Sequence, residues 1–326
     1  MSITVRNLTK FYGHDKAIDD ISFDVGTSEI LGFLGPNGAG KTTTMKIVTC
    51  YMPPTSGSVE IDGYPVATHA LEVRKKIGYL PELNPLYHDM NVLDYLTYSA
   101  RLHGLKGPAL TGRLREMVDA CGIGSVRHKD IGELSKGFRQ RVGLAQAMIH
   151  DPDVLILDEP TSGLDPNQIV EIRKLIRRLG RAKTVVLSTH ILPEVQATCD
   201  RVIIVNEGKI VADGTPEKLQ QEFRASDMLS VEIAARVENP MTEIFPVLAS
   251  LRGVEHVEFQ GTSDHVHRFL LHTLKGTDAR EQIFRQAVNA NWVLLELFRE
   301  ATTLEEVFHK LTMKDEMESD SHRTRS

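Results

Sequence analysis

GPNGAGKTT, at residues 35–43, is the stretch on which the reading of this chain turns. Gly35, Gly38 and Gly40 let the backbone bend tightly enough for successive N–H groups to point inward, and Lys41–Thr43 can open a helix. The pattern G-x-x-x-x-G-K-[ST] is that of a phosphate-binding loop. In it Lys41 can reach the outer phosphates of a nucleotide, and Thr42 offers a hydroxyl to Mg2+. A glycine-rich surface turn would carry the same glycines, but it would not need the largely apolar run EILGFLG (29–35) that leads into them. A buried strand, a Gly-rich loop and a helix in that order form the setting a phosphate loop requires.

Further along, VLILDEP (154–160) is a second buried strand, and it ends on Asp158 and Glu159. Such a strand delivers its carboxylates to the carboxyl edge of the sheet, where α/β folds bind ligands. Asp158 suits Mg2+, and Glu159 can orient or deprotonate an attacking water. Two solvated carboxylates at a strand end are the plain alternative. Around these stretches, strands are expected at 2–8, 17–25, 75–81, 184–188 and 201–208. Helical spacing is expected over 91–120, 167–180 and 192–198, with a further helix after LSKGFRQ (134–140). Alternation of this kind is the mark of an α/β core. Near residue 220 the rhythm changes to β-α-β-β-α-β, the order of a split-βαβ, ferredoxin-like α+β unit. The expected division is therefore a cassette at 1–221, with a helical subdomain about 83–150. A small α+β domain at 222–312 and a disordered tail at 313–326 follow.

Composition agrees and excludes some classes. The 326 residues exceed one average domain, and 41% hydrophobic with 25% charged residues is ordinary for a soluble protein. A net charge of −6 argues against a plain electrostatic nucleic-acid binder. The longest apolar runs, such as VLIL and VIIV, have the length of strands, so no transmembrane helix is expected, and the N-terminus lacks a signal-peptide pattern. Cys50, Cys121 and Cys199 are too scattered for a metal or disulfide framework and are expected as buried thiols of a reducing cytoplasm.

LSKGFRQ poses a separate question. Ser135, Gly137 and a basic pair stand just before the helical run RVGLAQAMI, which makes a second helix start fit for an anion. With GPNGAGKTT, LSKGFRQR, VLILDEP, SGLD and STH in this order, the chain closely resembles the ATP-binding subunit of an ABC transporter over residues 1 to about 215. Among subgroups it is most similar to ATPases of ABC-2-type exporters, including gliding-motility-type subunits. The likeness there rests on IGYLPE, PLY and LEEVFHKLT.

The resemblance implies an ABC-ATPase cassette of the P-loop NTPase kind, with a RecA-like core, an antiparallel β-subdomain and a helical subdomain. It also implies roles for single residues. Tyr12 falls where an aromatic ring stacks on adenine. Gly35, Pro36, Asn37, Gly38, Ala39, Gly40, Lys41, Thr42 and Thr43 form the phosphate loop. Asp158 resembles the Mg2+-organising carboxylate, Glu159 the catalytic base and His190 the histidine at the γ-phosphate. Asp165, in SGLD, matches the loop that links two active sites. Glu82 stands in GYLPE where the family usually has Gln, and it can reach Mg2+ directly or through water.

In this family two ATPase domains stack head to tail over two ATP molecules. Ser135 and Gly137 would then serve the ATP of the neighbouring chain, which accounts for two anion sites in one sequence. The signature here reads LSKGF rather than LSGGQ, with Lys136 and Phe138 replacing Gly and Gln. The function so implied is a Mg2+- and ATP-dependent ATPase at the cytoplasmic face of the membrane. It would power export through a separate integral-membrane permease, paired with a second copy of itself or a related ATPase, and it would not bind nucleic acid. The helical subdomain, with NPLYHDMNVLDYL (84–96), is the expected docking surface for the permease. Two alternatives stand beside this: a soluble ABC-type ATPase of translation or repair, and a nucleotide-gated regulatory subunit without turnover.

Overall fold

The computed structural model describes residues 2–222, 227–274, 276–300, 304–308 and 311–312. These fall into two compact units, the first running to Pro216 and the second over Glu217–Val307. The expected tail at 313–326 lies outside the described residues.

The first unit is built on a six-stranded sheet. Its order is Lys209–Gly214, Arg201–Asn206, Ile30–Leu34, Thr184–Thr189, Val154–Asp158 and Ile77–Leu80. The last five run parallel, and Lys209–Gly214 closes one edge as an antiparallel hairpin. Ile30–Leu34, Val154–Asp158 and Thr184–Thr189 are buried along their whole length. That burial explains why they read as unbroken apolar runs instead of alternating ones. The register pairs Leu34 with Thr189, Asp158 with Ser188 and Leu80 with Leu157. Four neighbouring strands therefore end at one level, and the loops that begin at Gly35, Glu159, His190 and Pro81 leave the sheet side by side.

A second, antiparallel sheet joins Asp15–Val25, Ile3–Tyr12, Ser56–Ile61 and Tyr64–Pro65 in that order. Its inward residues Ile3, Val5, Ile21, Phe23 and Ile61 share one core cluster with Phe33, Ile156 and Val186 of the six-stranded sheet. The helices Val92–Leu102, Gly107–Ala120 and Lys136–Met148 make up the helical part.

Some expectations are corrected. Lys75 and Lys76 do not begin a strand; they end the helix Ala70–Lys76, and the strand is only Ile77–Leu80. Arg74, Lys75 and Lys76 fill the last turn of that helix, where the dipole favours cations. The helix expected from residue 91 does start there, at Val92, capped by Asn91, whose side chain accepts from the Asp94 amide at 2.9 Å. Cys121 and Cys199 are buried as expected, but Cys50 is half-buried; all three are free thiols.

The second unit has the antiparallel strand order Val254–Ser263, Val266–Thr273, Asp227–Ala234, Val293–Glu300. Numbered along the chain this is 2-3-1-4, the arrangement a split-βαβ, ferredoxin-like unit requires. Leu229, Val231, Ile233, Val257, Phe269 and Leu271 form its core with Ile244, Leu248 and Ile283 from the helical segments. The expected single helix over MTEIFPVLASL is two pieces, Pro240–Glu243 and Phe245–Ala249. Pro246 opens the second piece, because a residue without an N–H fits a first turn and breaks a helix interior.

Candidate active site

The phosphate loop is wedged so tightly that side chains are excluded at two of its glycines. A Cβ on Gly35 would stand 2.3 Å from the Val205 carbonyl oxygen, and one on Gly40 would stand 2.4 Å from that of Ala17. Gly40 also has φ +100°, in the region that favours glycine. It caps the helix Lys41–Val48 without contributing a side chain, so the first helical amides face the cleft with no side-chain acceptor. That is the local basis for anion binding.

Lys41 is only 6% exposed. Its ammonium donates to the Gly35 carbonyl at 2.8 Å and the Pro36 carbonyl at 3.1 Å, and it lies 3.8 Å from Glu159 Oε1. Burial pulls the Lys41 pKa below its ordinary value, while the negative charges of Glu159, Asp158 and Glu82 oppose that shift. A nucleotide's phosphates would add the anionic partner a buried ammonium favours.

Thr42 Oγ1 donates to Asp158 Oδ1 at 3.3 Å, and Ser188 Oγ donates to the same oxygen. Asp158 Oδ2 is buried and has no hydrogen-bond partner. An orphaned carboxylate oxygen beside a threonine hydroxyl fits a hard cation such as Mg2+, which takes few protein ligands and prefers oxygen.

Glu159, 6% exposed, sits at φ +48° just past the strand end. Its amide donates to both the carbonyl oxygen and the hydroxyl oxygen of Ser188, each at 3.1 Å, and these bonds hold the residue in that conformation. His190 Nδ1 lies 3.0 Å from each carboxylate oxygen. An ionised carboxylate only accepts, so Nδ1 carries the proton. Burial raises the Glu159 pKa, and the hydrogen bond from His190 and the charge of Lys41 partly offset this. A carboxylate tuned upward in this way is better suited to take a proton near neutral pH.

Gly40, Lys41, Thr42, Glu159 and His190 line a cleft of about 540 Å³ with Asn37, Gly38, Thr43, Glu82, Ala17 and Ser162. Asp158 lines the neighbouring cavity, which shares Thr42 and Glu82 with this cleft. Ala17 and Ser162 were not singled out from the sequence. Neither carries chemistry visible in a motif, and only the fold brings Ala17 against Gly40. Tyr12 does not line this cleft. It is 46% exposed at the end of its strand, and its hydroxyl reaches the Met52 sulfur at 3.2 Å.

Ser135, Gly137 and Asp165 do not line it either. Ser135 caps the helix Lys136–Met148, accepting from the Phe138 amide at 3.4 Å. Asp165 caps Pro166–Gly180 through a capping box with Gln168, whose amide it receives at 2.9 Å. The two caps interlock, since a Cβ on Gly137 would lie 2.6 Å from the Gln168 side chain. Lys136 reaches over the neighbouring loop, its Nζ 2.0 Å from where a Cβ on Gly163 would stand. The helix start at Ser135 is thus closely packed against its neighbours and does not line the chain's own cleft.

The sequence pattern of the ABC transporter family matches residues 18–162. An uncharacterized ABC transporter ATP-binding protein, YxlF of Bacillus subtilis, is 36% identical over 241 residues, covering 74% of this chain and 80% of that protein. Nod factor export ATP-binding protein I of Burkholderia orbicola is 35% identical, covering 70% of this chain and 76% of its own. A solved structure of an ATP-binding subunit of an ABC transporter superposes with a TM-score of 0.63 at 29% identity, over 68% of this chain and 93% of that one. The phosphate loop, the paired carboxylates at a strand end, the cassette fold and these likenesses lead to one conclusion: the chain belongs to the ABC transporter family as an ATP-hydrolysing, nucleotide-binding subunit.

Proposed function

We propose that this chain powers export through a separate membrane permease of the ABC-2 type, by ATP-driven closure of a head-to-tail dimer and reopening after hydrolysis. One observation carries the dimer. The signature turn at Ser135 and Gly137 has the form of a helix start that can receive an anion, yet neither residue lines the cleft of the chain's own Lys41, Thr42 and Glu159. A second copy, or a related ATPase, supplies the missing half of each site. Nod factor export is named for one relative of this chain, which supports the direction, and bacitracin transport for another, which supports a transport role. Among the described residues no helix is long and apolar enough to cross a membrane.

In this reading the amides of Gly38–Thr43 and the Lys41 ammonium hold the phosphates of ATP. Thr42 and Asp158 would hold Mg2+, with Glu82 joining from the cleft rim. When bound, the cation neutralises charge on the phosphate oxygens. Glu159 accepts a proton from, or orients, the attacking water, and His190 fixes the Glu159 carboxylate while facing the γ-phosphate. Tyr12 packs on adenine, and Asp165 lies in the loop that meets the partner. The small domain expected at 222–312 is taken as separate, a view supported by the core within the compact unit Glu217–Val307.

Purification from solubilised membranes tests the transport reading. A polytopic membrane protein should co-purify in fixed ratio and raise the ATPase rate. Full activity in the soluble fraction, with no membrane partner retained, would contradict it.

A further inference from the structure

We propose that Glu194 is a positioning residue that holds the loop carrying Glu159 and the loop carrying His190 in register. The inference rests on the reading that Glu159 and His190 act on ATP. Glu194 lies in the helix Leu192–Thr198 and is 2% exposed. Both of its oxygens are committed, and to different loops. Oε1 accepts from Thr161 Oγ1, and Oε2 accepts from Thr189 Oγ1 at 3.0 Å. Thr161 and Thr189 are themselves buried.

Each threonine belongs to the turn that presents a cleft residue. Thr161 lies inside the turn that the Ser162 amide closes on the Glu159 carbonyl oxygen at 3.1 Å. Thr189 immediately precedes His190, and its hydroxyl also accepts from the Ile191 amide at 3.0 Å, so the backbone is tied on both sides of the histidine. At the cleft the two loops meet through His190 Nδ1 and Glu159, 3.0 Å apart. Beneath the cleft they meet again through Glu194. A carboxylate so deeply buried is costly unless its charge is answered. Here the answer is two hydroxyl donors and the Arg173 guanidinium, 3.8 Å from Oε1. An apolar side chain would fill the same space without that cost, but it could not tie one loop to the other.

The test compares E194A, E194Q and T189V in single-turnover ATP hydrolysis and in ATP affinity, with E159Q alongside. Loss of positioning should lower kcat about 10²-fold in E194A, the scale of a small misplacement of reacting groups. T189V, at near-constant volume, removes both the donor to Glu194 and the acceptor of the Ile191 amide, and should lose about tenfold or somewhat more. E194Q keeps one acceptor oxygen and should fall between E194A and wild type. ATP affinity should stay within about twofold throughout, since no phosphate contact is touched. The double variant E194A/T161V should be no slower than E194A, because the Thr161 hydroxyl acts through its bond to Glu194. Wild-type kcat in T189V and E194Q, or a fall of affinity and kcat together, would overturn the role. Should E194A fail to fold, T189V decides. Wild-type hydrolysis by E159Q would instead remove the site reading on which the inference rests.

Discussion

His190 and Glu159 face each other through Nδ1 and both carboxylate oxygens at 3.0 Å, although they leave the sheet on different strands. The contact matters for acidity as well as for geometry. Burial raises the Glu159 pKa above its ordinary 4.5, and the His190 hydrogen bond is the largest influence holding it down. The base form of Glu159 is needed for turnover, so activity should be lost as pH falls through a value above 4.5. Replacing His190 by Ala removes the restraint, so this acid limb should move to higher pH as kcat falls. A pH–rate profile of H190A with an unmoved acid limb would separate the two residues.

Glu159→Gln keeps the shape of the side chain and its contact with His190 but removes the base. Hydrolysis should slow by about 10²–10⁴-fold while ATP still binds. The variant should then accumulate as an ATP-bound dimer, which size-exclusion chromatography with light scattering reads directly. Wild-type turnover would take Glu159 out of its role.

Glu82 stands at the rim of the cleft, on the loop after the strand Ile77–Leu80. Glu82→Gln restores the residue more usual in the family and should leave ATP binding nearly unchanged. Glu82→Ala should lower transport further than it lowers hydrolysis. Equal transport by both variants in cells would show that the loop does not couple the two.

His103 and His150 stack with ring centroids 3.8 Å apart and planes 3° from parallel. Burial, and then the neighbouring His103, push the His150 pKa down from 6.5 to about 4. Its folded value lies below its unfolded one, so the unfolded chain takes up the proton first as pH drops. Stability should therefore decline progressively from about pH 6.5 towards 4. H150F keeps the stack and cannot titrate. Its melting temperature should fall less than that of wild type between pH 7 and 5, even though the bond to the Ile77 carbonyl oxygen is lost. Parallel declines in the two proteins would refute the assignment.

Much of this was legible in the sequence because the chemistry fixes both residue type and order. Only glycine fits beside the Val205 and Ala17 carbonyls, and only a strand end can bring Asp158 and Glu159 to the loop that holds Lys41. What escaped notice was decided in three dimensions. The helix Ala70–Lys76 was hidden because it is short and buries one residue, Val73, leaving no periodicity to find. The strand Lys209–Gly214 is an edge hairpin whose pattern mixes buried and exposed residues. Glu194 has no motif value by itself, and its meaning depends on two threonines brought together by the register of neighbouring strands.

The shared site is tested most directly by mixing two dead variants. Lys41→Ala disables the phosphate loop, and Gly137→Asp sets a carboxylate at the turn meant for the partner's phosphate; each alone should be nearly inactive. A chain that pairs with itself should form mixed dimers under exchanging conditions, each with one site that joins a sound loop to a sound signature turn. Random pairing leaves roughly a quarter of all sites whole, so hydrolysis should return towards that fraction of wild type. If the turn served the ATP of its own chain, every site would carry a lesion. No recovery, with mixed dimers present and ATP bound, would contradict the shared site.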